Sequence, residues 1–243
     1  MFMIMKKNNI KGINMRVLGI STTTHTPNEI HPTPASSTSV LKYFLQICNN
    51  IDGFETKYID ANKLHIVENL SCYSTDKKNC ASYDAGPYRC WAHKLSHEDP
   101  KAYGGKDQMS LIYDALEWAD VVFFSTSVRW TSHSALLQKI IERMNTLENR
   151  YSVYGEANPL ANKKCGIIVV GQHYQSQEIA SRLVETFCQL GFTTHTYSVF
   201  TWQRSMDRGL EQNGSNTPLV LNYLKTADGI DQIERMFKFL NIY

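Results

Sequence analysis

The sequence lacks any apolar stretch that approaches the ~20 residues needed to cross a bilayer, so no membrane-spanning helix is predicted. It also lacks a dominant charge, because 25 Lys and Arg against 23 Asp and Glu leave a net charge of +2. Nucleic-acid-binding proteins usually carry a basic face, and no nucleic-acid partner is therefore expected. Residues 1–14 lack the apolar core of a signal peptide, which favours a cytoplasmic location with reduced thiols.

Several motifs of nucleotide-binding and hydrolytic proteins are missing. There is no GxGxxG, no GxxxxGK[ST] and no GxSxG, which argues against a Rossmann-type dinucleotide site, a P-loop and an α/β-hydrolase. Cys72, Cys80 and Cys90 are spaced more widely than the CxxC pairs of most zinc and iron–sulfur sites. We therefore predict no metal site and favour a structured loop with reduced thiols.

What the sequence does contain is a regular alternation of short apolar runs and helical periodicities. Predicted strands cover residues 15–21, 55–60, 121–125, 165–170 and 193–199. Predicted helices cover residues 39–48, 109–118, 135–147, 179–190 and 229–240. Such alternation predicts an α/β fold, a three-layer sandwich in which helices cover both faces of a five-stranded parallel sheet. Because right-handed crossovers leave few topologies, we predict the strand order 2-1-3-4-5.

We interpret residues 15–243 as a single domain that follows an N-terminal extension at residues 1–14. Two segments are longer than the pattern needs: a loop at residues 22–36 that is rich in Thr and Pro, and an insertion at about residues 61–106. Long loops inside a compact domain are usually functional or locally folded. Both segments are therefore candidates to shape a binding site.

The ligand site of an open parallel sheet lies beyond the carboxyl ends of the strands. This rule points to the loops after strands 1, 3 and 4. The first loop carries hydroxyl groups at residues 21–24 and again at residues 36–39, and the second group lies at a helix N-terminus, where free N–H groups bind phosphate. Simple helix capping explains the same Ser and Thr residues equally well, so both interpretations stay open.

The loops after strands 3 and 4 add aromatic, basic and small residues. Arg129 and Trp130 suit a planar ligand, since an aromatic ring can stack on it and a cation can balance its electron density; a surface or interface role is the alternative. Gly171 permits close approach to the backbone. His173 is either a general base or a hydrogen-bonding residue, and no catalytic residue is assigned.

The Ser-Val-Arg-Trp segment at residues 127–130 stands where a known family has Pro-Val-Tyr-Trp. The family that this stretch resembles is the NADPH-dependent FMN reductase and iron–sulfur flavoprotein superfamily. The other matching or replaced positions are Ser134-Ala135, Lys139 and Glu142-Arg143 in the following helix, Asp107-Gln108-Met109 and Ala119-Asp120 upstream, and Ser37-Thr38. The resemblance covers residues 15–199.

The resemblance implies a flavodoxin-like fold with non-covalently bound FMN. The residues that it places around FMN are Ser21, Thr22, Ser37, Thr38, Ser39, Thr126, Ser127, Val128, Arg129, Trp130, Gly171, Gln172 and His173. Three departures matter. The first loop is much longer than is usual in the family, which leaves open whether residues 21–24 or residues 37–39 hold the phosphate. Arg129 replaces the family's Tyr, and the compact cysteine motif of the iron–sulfur branch is missing, so no cluster is expected.

The function implied by the resemblance is an NAD(P)H-dependent oxidoreductase that passes electrons through FMN to a quinone, a free flavin or another small-molecule acceptor. Two alternatives stay open: a flavodoxin-like carrier that exchanges electrons with protein partners, and an FMN-less binding or regulatory protein. Similar proteins often complete their flavin sites with a second subunit. We therefore expect a homodimer or another homo-oligomer.

Overall fold

The computed structural model describes residues 14–29, 32–72, 79–171, 175–204 and 216–242. Its strands are β1 (Met15–Ser21), β2 (Phe54–Asp60), β3 (Val121–Ser127), β4 (Lys164–Gly171) and β5 (Val199–Gln203). Its helices are α1 (Ser36–Asn49), α2 (Trp91–Glu98), α3 (Met109–Trp118), α4 (Ala135–Ser152), α5 (Ser176–Leu190), α6 (Asn216–Tyr223) and α7 (Ala227–Phe239). None of these helices has the length and apolar character needed to cross a membrane.

The strands form one parallel sheet in the order β2-β1-β3-β4-β5. The predicted fold class and strand order are both confirmed. Residues 17–21 of β1 pair with residues 121–125 of β3, and the strand order changes direction at this pair. In sheets of this kind the carboxyl ends of the strands on either side of such a point frame a ligand crevice.

Apolar helices cover both faces of the sheet, and successive residues of β3 show how. Phe123 and Phe124 point to opposite faces, as the two-residue period of a strand requires. Phe124 stacks on Phe187 of α5 with ring centroids 4.5 Å apart, in the core formed by α3, α4 and α5. Phe123 belongs to the second core, where Phe44 of α1 meets Phe237 of α7 edge to face at 5.4 Å.

The fifth strand begins later than the sequence predicts, and the strand predicted at residues 193–199 is wrong. The ring of His195 accepts a hydrogen bond from the backbone N–H of Tyr197 at 3.2 Å, and Thr196–Ser198 forms a 3-10 turn. Regular pairing with β4 starts only at Val199. Side-chain bonds to the backbone compete with the strand ladder, and here they end an alternation that looked β-like.

Helix bounds also differ from the predictions. α1 begins at Ser36 rather than at residue 39, because the hydroxyl residues that look like caps form its first turn. α4 continues to Ser152, beyond the predicted residue 147. Neither α2 nor α6 was predicted, because each has only eight residues and is too short to show a clear periodicity.

A buried ion pair between α4 and Asp107 links the segment at residues 61–106 to the rest of the fold. Arg143 of α4 donates hydrogen bonds to both carboxylate oxygens of Asp107, at 2.9 and 2.8 Å, and neither side chain is more than 1% exposed. Arg143 also donates to the carbonyl of Val67 at 2.6 Å, whose own N–H donates to Asp107 at 2.9 Å. The family-like Asp and Arg positions therefore anchor the two ends of the insertion.

The cysteines of the insertion are thiols in a partly buried setting. Burial, and secondarily the neighbouring thiols of Cys90 and Cys72, raises the pKa of Cys80 to about 11. A thiol with such a pKa is protonated at neutral pH and is a poor metal ligand or nucleophile. Within the described ranges, no group of His, Cys, Asp and Glu is arranged to hold a metal ion.

Candidate functional site

A network of buried hydroxyl groups joins the carboxyl ends of β1 and β3. Thr22 donates from both its N–H, at 2.9 Å, and its hydroxyl, at 2.8 Å, to the carbonyl of Ser125. Ser134, the N-cap of α4, donates its hydroxyl to the carbonyl of Thr22 at 2.7 Å and bonds the hydroxyl of Thr126 at 3.2 Å. Each member has a hydrogen-bond partner, so the network holds the ends of β1 and β3 and the start of α4 together.

The same network reaches the first turn of α1. Ser125 donates its hydroxyl to the carbonyl of Ser37 at 2.7 Å, and the hydroxyls of Ser21 and Thr38 lie 2.8 Å apart. Ser39 turns back to donate to the carbonyl of Ala35 at 3.2 Å. The start of α1 is therefore held against the ends of β1 and β3, where the strand order changes direction.

The N-terminus of α1 has features of an anion site. Its N-cap is Ala35, which has no side-chain group to accept the first helical amides, and these amides have no acceptor inside the helix. The hydroxyl of Ser37 is buried and has no hydrogen-bond partner. Free amides, a helix dipole and an unpaired hydroxyl together match the needs of a phosphate group.

A tight hairpin turn follows β3. Arg129 and Ser132 exchange backbone hydrogen bonds of 2.7 and 2.9 Å, and the two residues between them, Trp130 and Thr131, have φ angles of 44° and 66°. Two successive positive φ angles define a type I′ turn, which normally uses Asn or Gly. An aromatic residue in this conformation is strained by ~1–3 kcal/mol. The turn holds the Trp130 side chain 98% exposed.

The loop after β3 lies directly against the end of β4. Val128 donates its N–H to the carbonyl of Val170 at 3.1 Å. A β-carbon added at Gly171 would lie 2.5 Å from Cγ2 of Val128, which is far inside van der Waals contact. Gly171 is thus required for the loop after β3 to approach the end of β4, rather than for an unusual φ angle.

The structure places most of the predicted site residues at this edge of the sheet. Residues of the first and second loops that it brings together are Ser21, Thr22, Ser37, Thr38, Ser39, Thr126, Ser127 and Val128. Arg129 and Trp130 lie on the exposed turn beside them. Gln172 and His173 lie outside the described residues. The role of every one of these side chains toward a ligand stays a prediction.

Sequence reasoning missed three residues at this edge. Ser125 and Ser134 are central to the hydroxyl network, and a Ser inside an otherwise apolar strand was the available signal for Ser125. Arg204 follows β5 directly and donates its N–H to the carbonyl of Gly171 at 3.2 Å. Applying the rule about carboxyl ends to the last strand as well would have singled it out.

Comparison with known proteins gives a family and a fold. The model of the family described as NADPH-dependent FMN reductase matches residues 15–206. No curated protein matches the sequence.

Solved structures resemble the chain at low identity, which bears on the fold alone. RosB with bound 8-demethyl-8-formylriboflavin-5'-phosphate is 13% identical with a TM-score of 0.56, covering 94% of this chain and 82% of RosB. An FMN-dependent NADH-azoreductase from Bacillus anthracis str. Ames Ancestor, in complex with FMN, is 14% identical with a TM-score of 0.54 and coverages of 93% and 100%. An oxidoreductase from Corynebacterium diphtheriae is 11% identical with a TM-score of 0.50 and coverages of 95% each.

Proposed function

Because the chain belongs to the NADPH-dependent FMN reductase family, we propose that it passes electrons from NAD(P)H through FMN to a quinone, a free flavin or another small acceptor. Membership of the family makes the protein an oxidoreductase that uses FMN and NAD(P)H, as the sequence predicts. When bound, FMN supplies the hydride and electron transfer, chemistry that side chains cannot perform. The part left to this chain is to bind the cofactor, orient it and limit the access of water.

The N-terminus of α1 is the proposed site for the FMN phosphate. The observation that carries this assignment is the unpaired, buried hydroxyl of Ser37 at a helix start that lacks a side-chain cap. The hydroxyls of Ser21, Thr22 and Thr38 already bond one another or the backbone. We therefore assign the direct contact to Ser37 and the first amides of α1, with the other hydroxyls holding that turn in place.

The loops after β3 and β4 are the proposed walls of the ring site. Ser127 contributes a second buried hydroxyl without a partner, positioned to bond a polar edge of the ring. The contact between Val128 and Gly171 holds the loop after β3 against the end of β4. This arrangement would leave the ring between residues 127–130 on one side and the loop that begins at Gly171 on the other.

Arg129 is proposed to tune the charge of the site. Its side chain is exposed and has no carboxylate partner among the ion pairs of the described residues. A positive charge beside the ring favours the negative charge that develops when a flavin is reduced. The Tyr usual in the family provides no such charge, so this position is expected to raise the reduction potential.

A homodimer is proposed on the exposure of Trp130. Trp is enriched at protein–protein interfaces, and this Trp is 98% exposed on a strained turn. A second copy that covered Trp130 would also cover the ring site. Size-exclusion chromatography with light scattering tests this, since a Trp130→Ser protein should run as a monomer where the wild type runs as a dimer.

The function is tested by the absorbance spectrum of the purified protein after incubation with FMN and desalting. A retained flavin band that bleaches when NADPH is added without oxygen supports the reductase. A retained band that does not bleach favours an electron carrier instead. A protein that retains no flavin contradicts the proposal and leaves the fold alone.

The phosphate assignment is tested by titrating FMN into Ser37→Ala protein. We expect the dissociation constant to rise about tenfold, the value of one hydrogen bond to a charged group. Ser152→Ala is the matched control, because Ser152 lies at the far end of α4 and bonds Glu148. Equal FMN affinity of the two variants would remove Ser37 from the site.

A further inference from the structure

A cavity of about 420 Å³ opens at the carboxyl end of β5, one strand away from the proposed ring site. Its lining residues are Ser176, Gln177, Thr201, Trp202, Gln203, Arg204, Leu219, Tyr223 and Gln232. The size falls within the range of small-ligand sites. Neither Asp nor Glu occurs among these lining residues, so the described part of the wall carries no negative charge.

Arg204 gives the cavity a buried positive charge. Arg204 is only 8% exposed, and its Nε is buried without a hydrogen-bond partner among the described residues. One guanidinium nitrogen bonds the side-chain oxygen of Asn216 at 3.4 Å, and no carboxylate of the described chain pairs with it. A buried charge is destabilising without a counter-ion, so an anion in the cavity would supply the partner that the described residues do not.

The N-terminus of α5 faces the same cavity. Ser176 and Gln177, its first two residues, line the wall, and the N-cap Gln175 makes no side-chain hydrogen bond to the first amides. These amides and the helix dipole add partial positive charge. Glu178, the acidic residue of the first turn, does not line the cavity and is paired with Arg182.

The remaining walls suit a flat, polar ring. Trp202 and Tyr223 present aromatic surface, on which an adenine base can stack. Gln232 accepts the N–H of Thr201 at 3.2 Å, so this donor at the edge of β5 already has a partner. The link from Arg204 N–H to the carbonyl of Gly171, at 3.2 Å, ties the cavity to the loop that borders the ring site.

We propose that this cavity binds the adenosine 2′-phosphate of NADPH, with Arg204 and the first amides of α5 as the phosphate ligands. The inference rests on the proposed function, because it supplies the donor specificity of the same reductase. An Arg that pairs with the 2′-phosphate is a general solution for distinguishing NADPH from NADH. The described lining residues include neither Asp nor Glu, the side chains that usually bond the 2′-hydroxyl of a ribose without a phosphate.

The test is calorimetric titration of the FMN-loaded protein with 2′,5′-ADP and, separately, with 5′-AMP. We expect 2′,5′-ADP to bind more tightly by about tenfold or more, and Arg204→Gln to abolish that preference, as expected for charge-assisted bonds to a phosphate. Arg204→Lys should restore part of it. The matched control is Arg235→Gln, which removes an exposed Arg paired with Asp231 beside the neighbouring cavity.

Three results would overturn the assignment: equal affinity of the wild type for the two nucleotides, an undiminished preference in Arg204→Gln, or inorganic phosphate binding as tightly as 2′,5′-ADP. Steady-state kinetics give a second readout, in which Arg204→Gln raises KM for NADPH about tenfold and leaves KM for NADH unchanged. Retained FMN in that variant shows that it folds.

The two proposals fail separately. Flavin retention and bleaching by NADH report on the reductase, whereas the titration with 2′,5′-ADP reads the phosphate directly and needs no turnover. A reductase that bleaches with NADH but does not distinguish the two nucleotides keeps its proposed function and loses this site.

Discussion

Two buried arginines of this protein carry the same charge in opposite surroundings. Arg143 is 2% exposed and Arg204 is 8% exposed. Arg143 makes two hydrogen bonds to Asp107, whereas Arg204 has no carboxylate partner in the described part of the chain and lines a cavity. Both leave Nε unpaired, so the counter-ion is what separates them. Burial alone therefore does not show that a charged side chain has a structural role.

Position in the fold agrees with this difference. Arg143 lies on α4, under the insertion, where it also bonds the carbonyl of Val67. Arg204 lies at the carboxyl end of a strand, the edge at which parallel sheets bind ligands. We therefore expect Arg143 to matter for stability and Arg204 for binding, and three experiments test that division.

The largest effect should follow from breaking the ion pair between Asp107 and Arg143. Asp107→Asn leaves Arg143 as an uncompensated buried charge, and we expect the free energy of unfolding to fall by ~3–5 kcal/mol. Urea unfolding at neutral pH measures this loss. The double variant Asp107→Asn/Arg143→Met removes both charges and should be more stable than Asp107→Asn alone.

A surface pair provides the control for that experiment. Asp231→Asn removes one partner of an exposed pair with Arg235 on α7, for which a loss of no more than ~0.5 kcal/mol is expected. If Asp107→Asn were as mild as Asp231→Asn, the ion pair would not anchor the insertion, and the contrast with Arg204 would collapse.

The second prediction concerns acid. Burial by itself raises the pKa of Asp107, but hydrogen bonds from His93 and Arg143 and the charge of Arg143 outweigh it and hold that pKa below its usual value. A carboxyl with a depressed folded pKa contributes stability that is fully present above the unfolded pKa of about 4 and is lost as the pH falls further. Wild-type stability should therefore decline below about pH 4.

The acid prediction is checked by repeating the urea unfolding from pH 6 downward. Asp107→Asn should show a shallower decline than the wild type, because it has no carboxyl to protonate at this position. Parallel curves for the two proteins would mean that other carboxyls cause the acid dependence.

The smallest effect on the free energy of unfolding, opposite in sign, is expected at Arg204. Arg204→Met removes a buried charge that has no counter-ion among the described residues, so the ligand-free protein should be unchanged or stabilised by ~1 kcal/mol. Thermal unfolding measures this. The wild type should gain stability when 2′,5′-ADP is added, and the variant should not. A loss of several kcal/mol in Arg204→Met would assign Arg204 a structural role like that of Arg143.

The fold was largely predictable from sequence. Runs such as residues 121–125 and 165–170 are apolar and bounded by polar loops, so strand type and order followed from general rules of parallel sheets. The fifth strand was not predictable in the same way. Its predicted start depended on alternation alone, and the ring of His195 bonding a backbone amide ended that alternation.

The site was predictable in position and less so in detail. The carboxyl-end rule found the loops that contain Ser37 and Trp130, but their distinct environments follow from contacts distant in sequence. Whether the hydroxyls of residues 21–24 or 36–39 are free depends on partners such as Ser125 and Ser134, about a hundred residues away. That no carboxylate of the described residues pairs with Arg204 is likewise a property of three-dimensional packing, which no local motif reports.

The contact between Gly171 and Val128 has a consequence for how such a protein can diverge. Since a single methyl group at residue 171 would overlap the side chain at residue 128, the residue that one position tolerates depends on the residue at the other. A larger residue at 171 becomes acceptable only after residue 128 has become smaller, which makes the order of substitutions matter. The walls on either side of the proposed ring site are thus expected to change together over evolutionary time or to stay as they are.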